Sequence, residues 1–180
     1  PVTATFTGNT TLTGAATLTG ATNGPVTINL NGATTVLTGG LVFAGSGVQP
    51  VANFIATAAQ TVTGVIDSSS TTDTGTINVL GGTNLTTFAS KIGDTHNILA
   101  INVGDATRGA NAKFSETTEA ATITVFTQVT DNAVADFDAN VITTNIAITG
   151  GNGANEDATA KFAADVAGVI TLTPNSGVAT

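Results

Sequence analysis

In a chain of 180 residues, only 9% are charged, and four basic against twelve acidic side chains leave a formal charge of −8. Phosphate backbones and anionic lipid surfaces are repelled by such a chain, which excludes nucleic acid as an expected partner. The absence of cysteine removes disulfides and thiolate metal sites, and no run reaches the roughly eighteen apolar residues of a spanning helix. With no Met, Trp or Tyr, the core must be built from Val, Ile, Leu, Ala and eight Phe, under a surface solvated mainly by Thr, Asn and Ser.

Strand signals begin at once. Val2-Thr3-Ala4-Thr5-Phe6-Thr7 alternates strictly, and Pro1 leading straight into it reads as the start of a processed or excised piece. Residues 26–31 (VTINLN) alternate in the same way; strand-like runs follow at 36–45, 60–66, 76–80, 98–103, 121–129, 141–149 and 169–173. Gly, Asn or Asp closes most of them, and Thr-Gly recurs as a terminator, because glycine turns a chain where a Cβ would clash. Helix has two short claims. Leu85, Phe88, Ala89 and Ile92 fall at helical spacing before Gly93, and the alanines of 158–168 do so more weakly. The stretch 131–140 (DNAVADFDAN) fits either period.

An internal duplication relates 97–125 to 145–172: each copy runs strand, Gly/Asn loop, GAN, AKF, short connection, Ile-Thr-aliphatic strand. The second copy carries Glu156-Asp157-Ala158-Thr159 as an apparent loop insertion. The short connections read as hairpins, hence antiparallel pairing. The expected fold is therefore one all-β domain over 1–180, an antiparallel, jelly-roll-like β-sandwich with at most one or two short helices. The alternative is a parallel β-solenoid (β-helix).

VTGVID (62–67), GTINVLGG (75–82) and KIGDTHNILAINVG (91–104) occur in the order and rough spacing of a known repeat. Across residues 61–107 the chain resembles the repeats of rickettsial autotransporter surface antigens of the outer-membrane protein A and B type. That resemblance implies a secreted passenger region, a β-solenoid displayed outside a Gram-negative cell as a coat or adhesin.

Chemistry-bearing residues are few. His96 is the single histidine, in a loop with no G-x-S-x-G nucleophile elbow anywhere, so no enzyme is expected. GGNGANED (150–157) partly matches a calcium-binding nonapeptide, which makes Asn155, Glu156 and Asp157 candidate Ca2+ ligands; Asp131, Asp136 and Asp138 form a second candidate cluster. The competing reading is solvated loop carboxylates. Lys113 and Lys161 of the AKF pair alternate with Ala and Phe and are expected to face water, where on an edge strand they would discourage wrong pairing.

Two functions follow. The leading expectation is an extracellular structural subunit of a bacterial surface fibre, sheath or S-layer-like coat, a homopolymer in which residues 1–12 act as a donor strand through Val2, Ala4 and Phe6. The alternative is a passenger-like adhesin for a host or matrix ligand.

Overall fold

The computed structural model describes residues 1–174 except 46, 56, 70, 129–130 and 152–155. Strands come in short, regularly spaced pieces: β1 (Val2–Phe6), β2 (Thr10–Leu12), β3 (Ala16–Thr19), β4 (Val26–Leu30), β5 (Thr34–Leu37) and β6 (Leu41–Ala44). Next come β7 (Val51–Phe54), β8 (Gln60–Thr63), β9 (Ile66–Ser68), β10 (Thr76–Val79), β11 (Leu85–Phe88) and β12 (Ile98–Val103). The C-terminal third holds β13 (Ala110–Phe114), β14 (Thr118–Phe126), β15 (Ala133–Phe137), β16 (Val141–Thr149), β17 (Ala158–Phe162) and β18 (Val166–Thr173).

Every strand-to-strand ladder among them is parallel, and none joins neighbours in sequence. One sheet runs β1-β4-β7-β10-β12-β14-β16-β18, a second β17-β15-β13-β11-β8-β5-β2, and a third, short one β3-β6-β9. The third face continues through single bridges from Ile66 to Ile92 and from Ile92 to Thr118, then through the first residues of β14, β16 and β18. The chain thus coils right through all three faces and returns to the first sheet 22 to 25 residues later, as in Val2↔Val26, Val51↔Thr76 and Ala100↔Thr122. This is a β-solenoid of about seven turns.

That architecture corrects the expected antiparallel, jelly-roll-like sandwich; the solenoid alternative fits. Period-2 alternation is common to both, since it reports only which face is buried. What separates them is the partner of each residue. Ala4, Ile28, Ala52, Ile77, Ile101, Ile123, Ile146 and Ile170 occupy one column, one residue per coil, and the column from Ile28 to Ile146 is buried. An apolar position that recurs once per coil closes a continuous core without any strand reversing.

Both helix expectations fail, and no described residue is helical. Leu85–Phe88 and Ala158–Phe162 are strands, because neighbouring coils offer unpaired edges that outweigh the intrinsic preference of five or so residues. The supposed hairpins are corners: residues 115–117 turn the chain from the second sheet into the third face. The duplicated segments are coils two turns apart, and the ambiguous stretch around 131–140 is the missing middle copy. ANAKF, AVADF and ATAKF stack in register as β13, β15 and β17. Ala158 and Thr159, read as loop insertion, are strand residues aligned with Ala110 and Asn111 through Ala133 and Val134.

Phenylalanine fills the second sheet's inner face. Phe88, Phe114, Phe137 and Phe162 stack nearly parallel, with centroids 5.1, 4.7 and 5.4 Å apart, and Phe54 meets Phe88 edge-on at 5.0 Å. The spacing follows from strands about 4.8 Å apart, which is close to the thickness at which aromatic rings stack.

Candidate functional site

On the outer face of the first sheet, asparagine holds the same position in four successive coils. Asn102 Nδ2 donates to Asn78 Oδ1 at 2.9 Å, Asn78 to Asn53 at 2.8 Å, Asn53 to Asn29 at 2.8 Å, and Asn29 to Thr5 Oγ1 at 3.0 Å. The signal lay in the sequence as NL, NF, NV and NV at 29, 53, 78 and 102, but it is legible only once the coil length is known. All four bonds point the same way, so each amide polarises the next and the ladder pins the register of five coils. An expected outcome follows. Asn53→Ala removes two bonds and costs about 1 to 2 kcal/mol, whereas Asn102→Ala removes one and costs about half as much. Urea unfolding of the two variants measures the ordering.

Where this ladder ends, the surface opens into a groove of about 270 Å³ lined by Asn78, Leu80, Asn102, Gly104, Asp105, Ala106, Thr124 and Phe126. Leu80, Gly104 and Phe126 follow the partnered trio Val79, Val103 and Val125, and the middle one has no side chain. A notch is left between two apolar walls. Gly104 has φ +81°, and a Cβ there would collide with the Phe126 carbonyl, so only glycine fits.

The loop that follows Gly104 is organised by one carboxylate oxygen. Asp105 Oδ1 accepts from the Thr107 amide at 2.6 Å, the Thr107 hydroxyl at 2.8 Å and the Arg108 amide at 2.8 Å, and the Asp105 amide donates back to the Arg108 carbonyl at 2.8 Å. Burial raises the Asp105 carboxyl; the Thr107 hydroxyl, the Thr107 and Arg108 amides and the Arg108 guanidinium outweigh it and hold the group below the usual aspartate range. A depressed folded-state value means the loop's stabilisation is complete above the ordinary aspartate value near 3.8 and is lost as the pH falls through the lowered one. Amide exchange at Thr107 and Arg108 is therefore expected to stay slow through mild acid and to accelerate only below that ordinary value.

The calcium candidates are dispersed. Asn155 lies outside the described residues. The Glu156 carbonyl accepts from the Gly151 amide at 2.9 Å, and the Asp157 amide donates to Asn132 Oδ1 at 3.1 Å. Asp131 sits near Gly82, on the border of a second shallow groove with Thr83, Asn111, Asn132 and Val134. Asp136 stands in register between Lys113 and Lys161 on the outer face of the second sheet, and Asp138 pairs with Lys113 at 2.8 Å. Among the described residues no three His, Asp or Glu side chains gather as a metal site.

Lys113 and Lys161 do face outward, but β13 is interior to its sheet, so only Lys161, on β17, has an edge to guard. Asp138 beside it raises the Lys113 ammonium above its ordinary value through a hydrogen bond and its charge. His96 Nδ1 meets the Ser68 backbone carbonyl at 3.2 Å, while the Thr95 and His96 amides donate to Asp67. That is a loop clasp between coils, with the imidazole on a backbone carbonyl.

Val2, Ala4 and Phe6 lie on β1, which pairs with β4 of its own chain rather than standing free. Their outer sides are open: Val2 is 67% exposed. No described helix is long and apolar enough to cross a membrane. Comparison with known proteins finds no matching family model, no matching curated protein and no matching solved structure.

Proposed function

We propose that the chain is a non-enzymatic, surface-displayed solenoid of the autotransporter-passenger type, which carries a host or matrix ligand on its long outer sheet. The observation behind this reading is the all-parallel coil itself, the fold that the resemblance in residues 61–107 implies for such a passenger. Its outer surface suits the role. An uncharged ladder of Asn and Thr crosses five coils, and only 9% of the chain is charged, which leaves few groups to bind cations or anions indiscriminately. The purified chain is expected to bind immobilised matrix proteins or host-cell surfaces saturably. Binding no greater than that of an unrelated acidic solenoid, across matrix proteins and cells alike, would count against the reading.

End-to-end assembly is a second reading, favoured by the two outer coils. Phe6 at one end, and Ile170 and Leu172 at the other, are exposed members of the apolar columns that other coils bury. A second copy laid β1 against β18 continues those columns, with Ala4 over Ile170 and Phe6 over Leu172. Such a contact is head-to-tail and leads to an open filament. It adds a coil to an edge, so it needs no donated strand. Sedimentation is expected to show concentration-dependent growth that Ala4→Lys together with Ile170→Lys abolishes; a wild-type chain that stays monomeric at high concentration while binding a matrix ligand decides for the first reading.

A further inference from the structure

We propose that the groove between Leu80 and Phe126 is a binding site for a neutral saccharide. This deepens the adhesive reading above and rests on it for its biological setting.

The shape comes first. Leu80 follows β10 and Phe126 ends β14, two strands apart in the sheet, so their backbones are about 10 Å from each other, and the glycine between them contributes no side chain. A slot of this width with two apolar walls accepts one flat, rigid ring presented by its C–H faces. At about 270 Å³ the groove lies near the roughly 300 Å³ lower end of small-molecule sites, which suits a single sugar unit of a longer chain running along the sheet.

The polar groups are matched to hydroxyls. Asn102 spends its amide N–H on Asn78, and among the described residues no donor reaches its Oδ1, the acceptor at the head of the polarised ladder. Thr124 takes the ladder's next place with a hydroxyl that both donates and accepts. Asp105 uses Oδ1 for all three of its loop bonds, leaving Oδ2 as a second acceptor at the groove's rim. Acceptors of this kind, beside an aromatic and an aliphatic wall, suit a ligand that is rich in O–H donors and apolar on its faces.

Charge selects within the class. The aspartate at the rim and the net charge of −8 repel sulfated or carboxylated glycans, so the uncharged ones are favoured. The site is also built in advance. The ladder fixes Asn102, and the Asp105 turn fixes the loop wall, so little ordering is left to be done on binding.

The test uses the 15N-labelled 180-residue chain, titrated with neutral oligosaccharides (β-1,4-linked glucose, N-acetylglucosamine and mannose hexamers) and with a heparin hexasaccharide as the anionic control. At least one neutral oligomer is expected to give saturable shifts at residues 102–106 and 124–126, including the Asn102 side-chain amide, while heparin gives none there. Phe126→Ala is expected to weaken binding about tenfold through loss of one ring face. Thr124→Val keeps the shape and loses a hydroxyl, so a severalfold loss there carries the test if Phe126→Ala unfolds. The inference is overturned if no neutral oligomer shifts the groove at millimolar concentration, if heparin binds there more tightly, or if Thr124→Val binds as the wild type does. Cell binding without sugar binding overturns the groove alone; sugar binding without cell or matrix binding overturns the adhesive reading alone.

Discussion

Phe114→Ala is expected to lower the unfolding free energy by about 3 to 5 kcal/mol, the range for emptying a buried aromatic site. Phe114 is 1% exposed and stacks on both sides, 5.1 Å from Phe88 and 4.7 Å from Phe137. The coil has no easy way to collapse into the space. Its strands are held by backbone ladders on both sides, and the inward neighbours of Phe114 along and across the sheet, Ala112 and Ala135, are too small to reach over. Phe114→Leu keeps most of the volume and is expected to cost only about 1 to 2 kcal/mol. Phe162→Ala, at the open end of the same stack, removes one partner rather than two and should cost clearly less than Phe114→Ala. Chemical denaturation of the three variants measures the ordering. Equal losses at Phe114 and Phe162 would mean that the stack contributes nothing beyond local burial. Because each coil touches only its neighbours, loss at Phe114 is also expected to loosen the coils on either side before the distant ones.

Strand positions were legible along most of the chain, because alternation is a local property. Val26–Leu30, Thr76–Val79 and Ile98–Val103 could be read from a window of six residues. Pairing direction could not be read that way. The decisive fact is that Asn29, Asn53, Asn78 and Asn102 share a column, and it shows only when residues 24 or 25 apart are compared. The duplication stands out at twice that spacing because AKF repeats in alternate coils, while the coil between them carries Asp136 where the others carry lysine. The lysine–aspartate–lysine row explains the substitution: three lysines in register would repel one another across neighbouring strands. Two short strands, Leu85–Phe88 and Ala158–Phe162, passed for helices because four or five residues cannot separate a period of 3.6 from one of 2.

The groove was illegible for a different reason. None of its residues belongs to a catalytic or metal-binding residue type set off by spacing, save Asp105, and Asp105 reads as an ordinary turn residue. The acidic loops are the more conspicuous feature of the sequence, since carboxylates in clusters imitate ligand sets. In the structure those carboxylates lie apart, with Asp136 and Asp138 beside lysine, while uncharged Asn102, Thr124 and Phe126 converge from two neighbouring coils.

Gly104→Val is expected to cost about 2 to 4 kcal/mol and to dismantle the groove with it. The residue holds φ +81°, a conformation that charges an L-residue about 1 to 2 kcal/mol and a β-branched one more. A Cβ would also meet the Phe126 carbonyl, Ala133 Cβ at 3.2 Å and the Arg108 carbonyl at 3.2 Å, and the first and third of these are backbone that cannot rotate away. The strain is therefore relieved only by moving the 105–108 turn or the end of β14, which are the side wall and one face of the slot. Gly104→Ala should show the same displacement at lower cost. Gly14→Ala is the control: a Cβ there meets nothing within 4 Å, and a stability change within about 0.5 kcal/mol is expected. Amide shifts in Gly104→Ala confined to 104–108 and 126–127, with coils beyond the neighbouring ones unchanged, would tie the stability loss to the wall of the groove. Shifts spread evenly along the solenoid would instead make Gly104 a register position for the whole coil and sever it from the site.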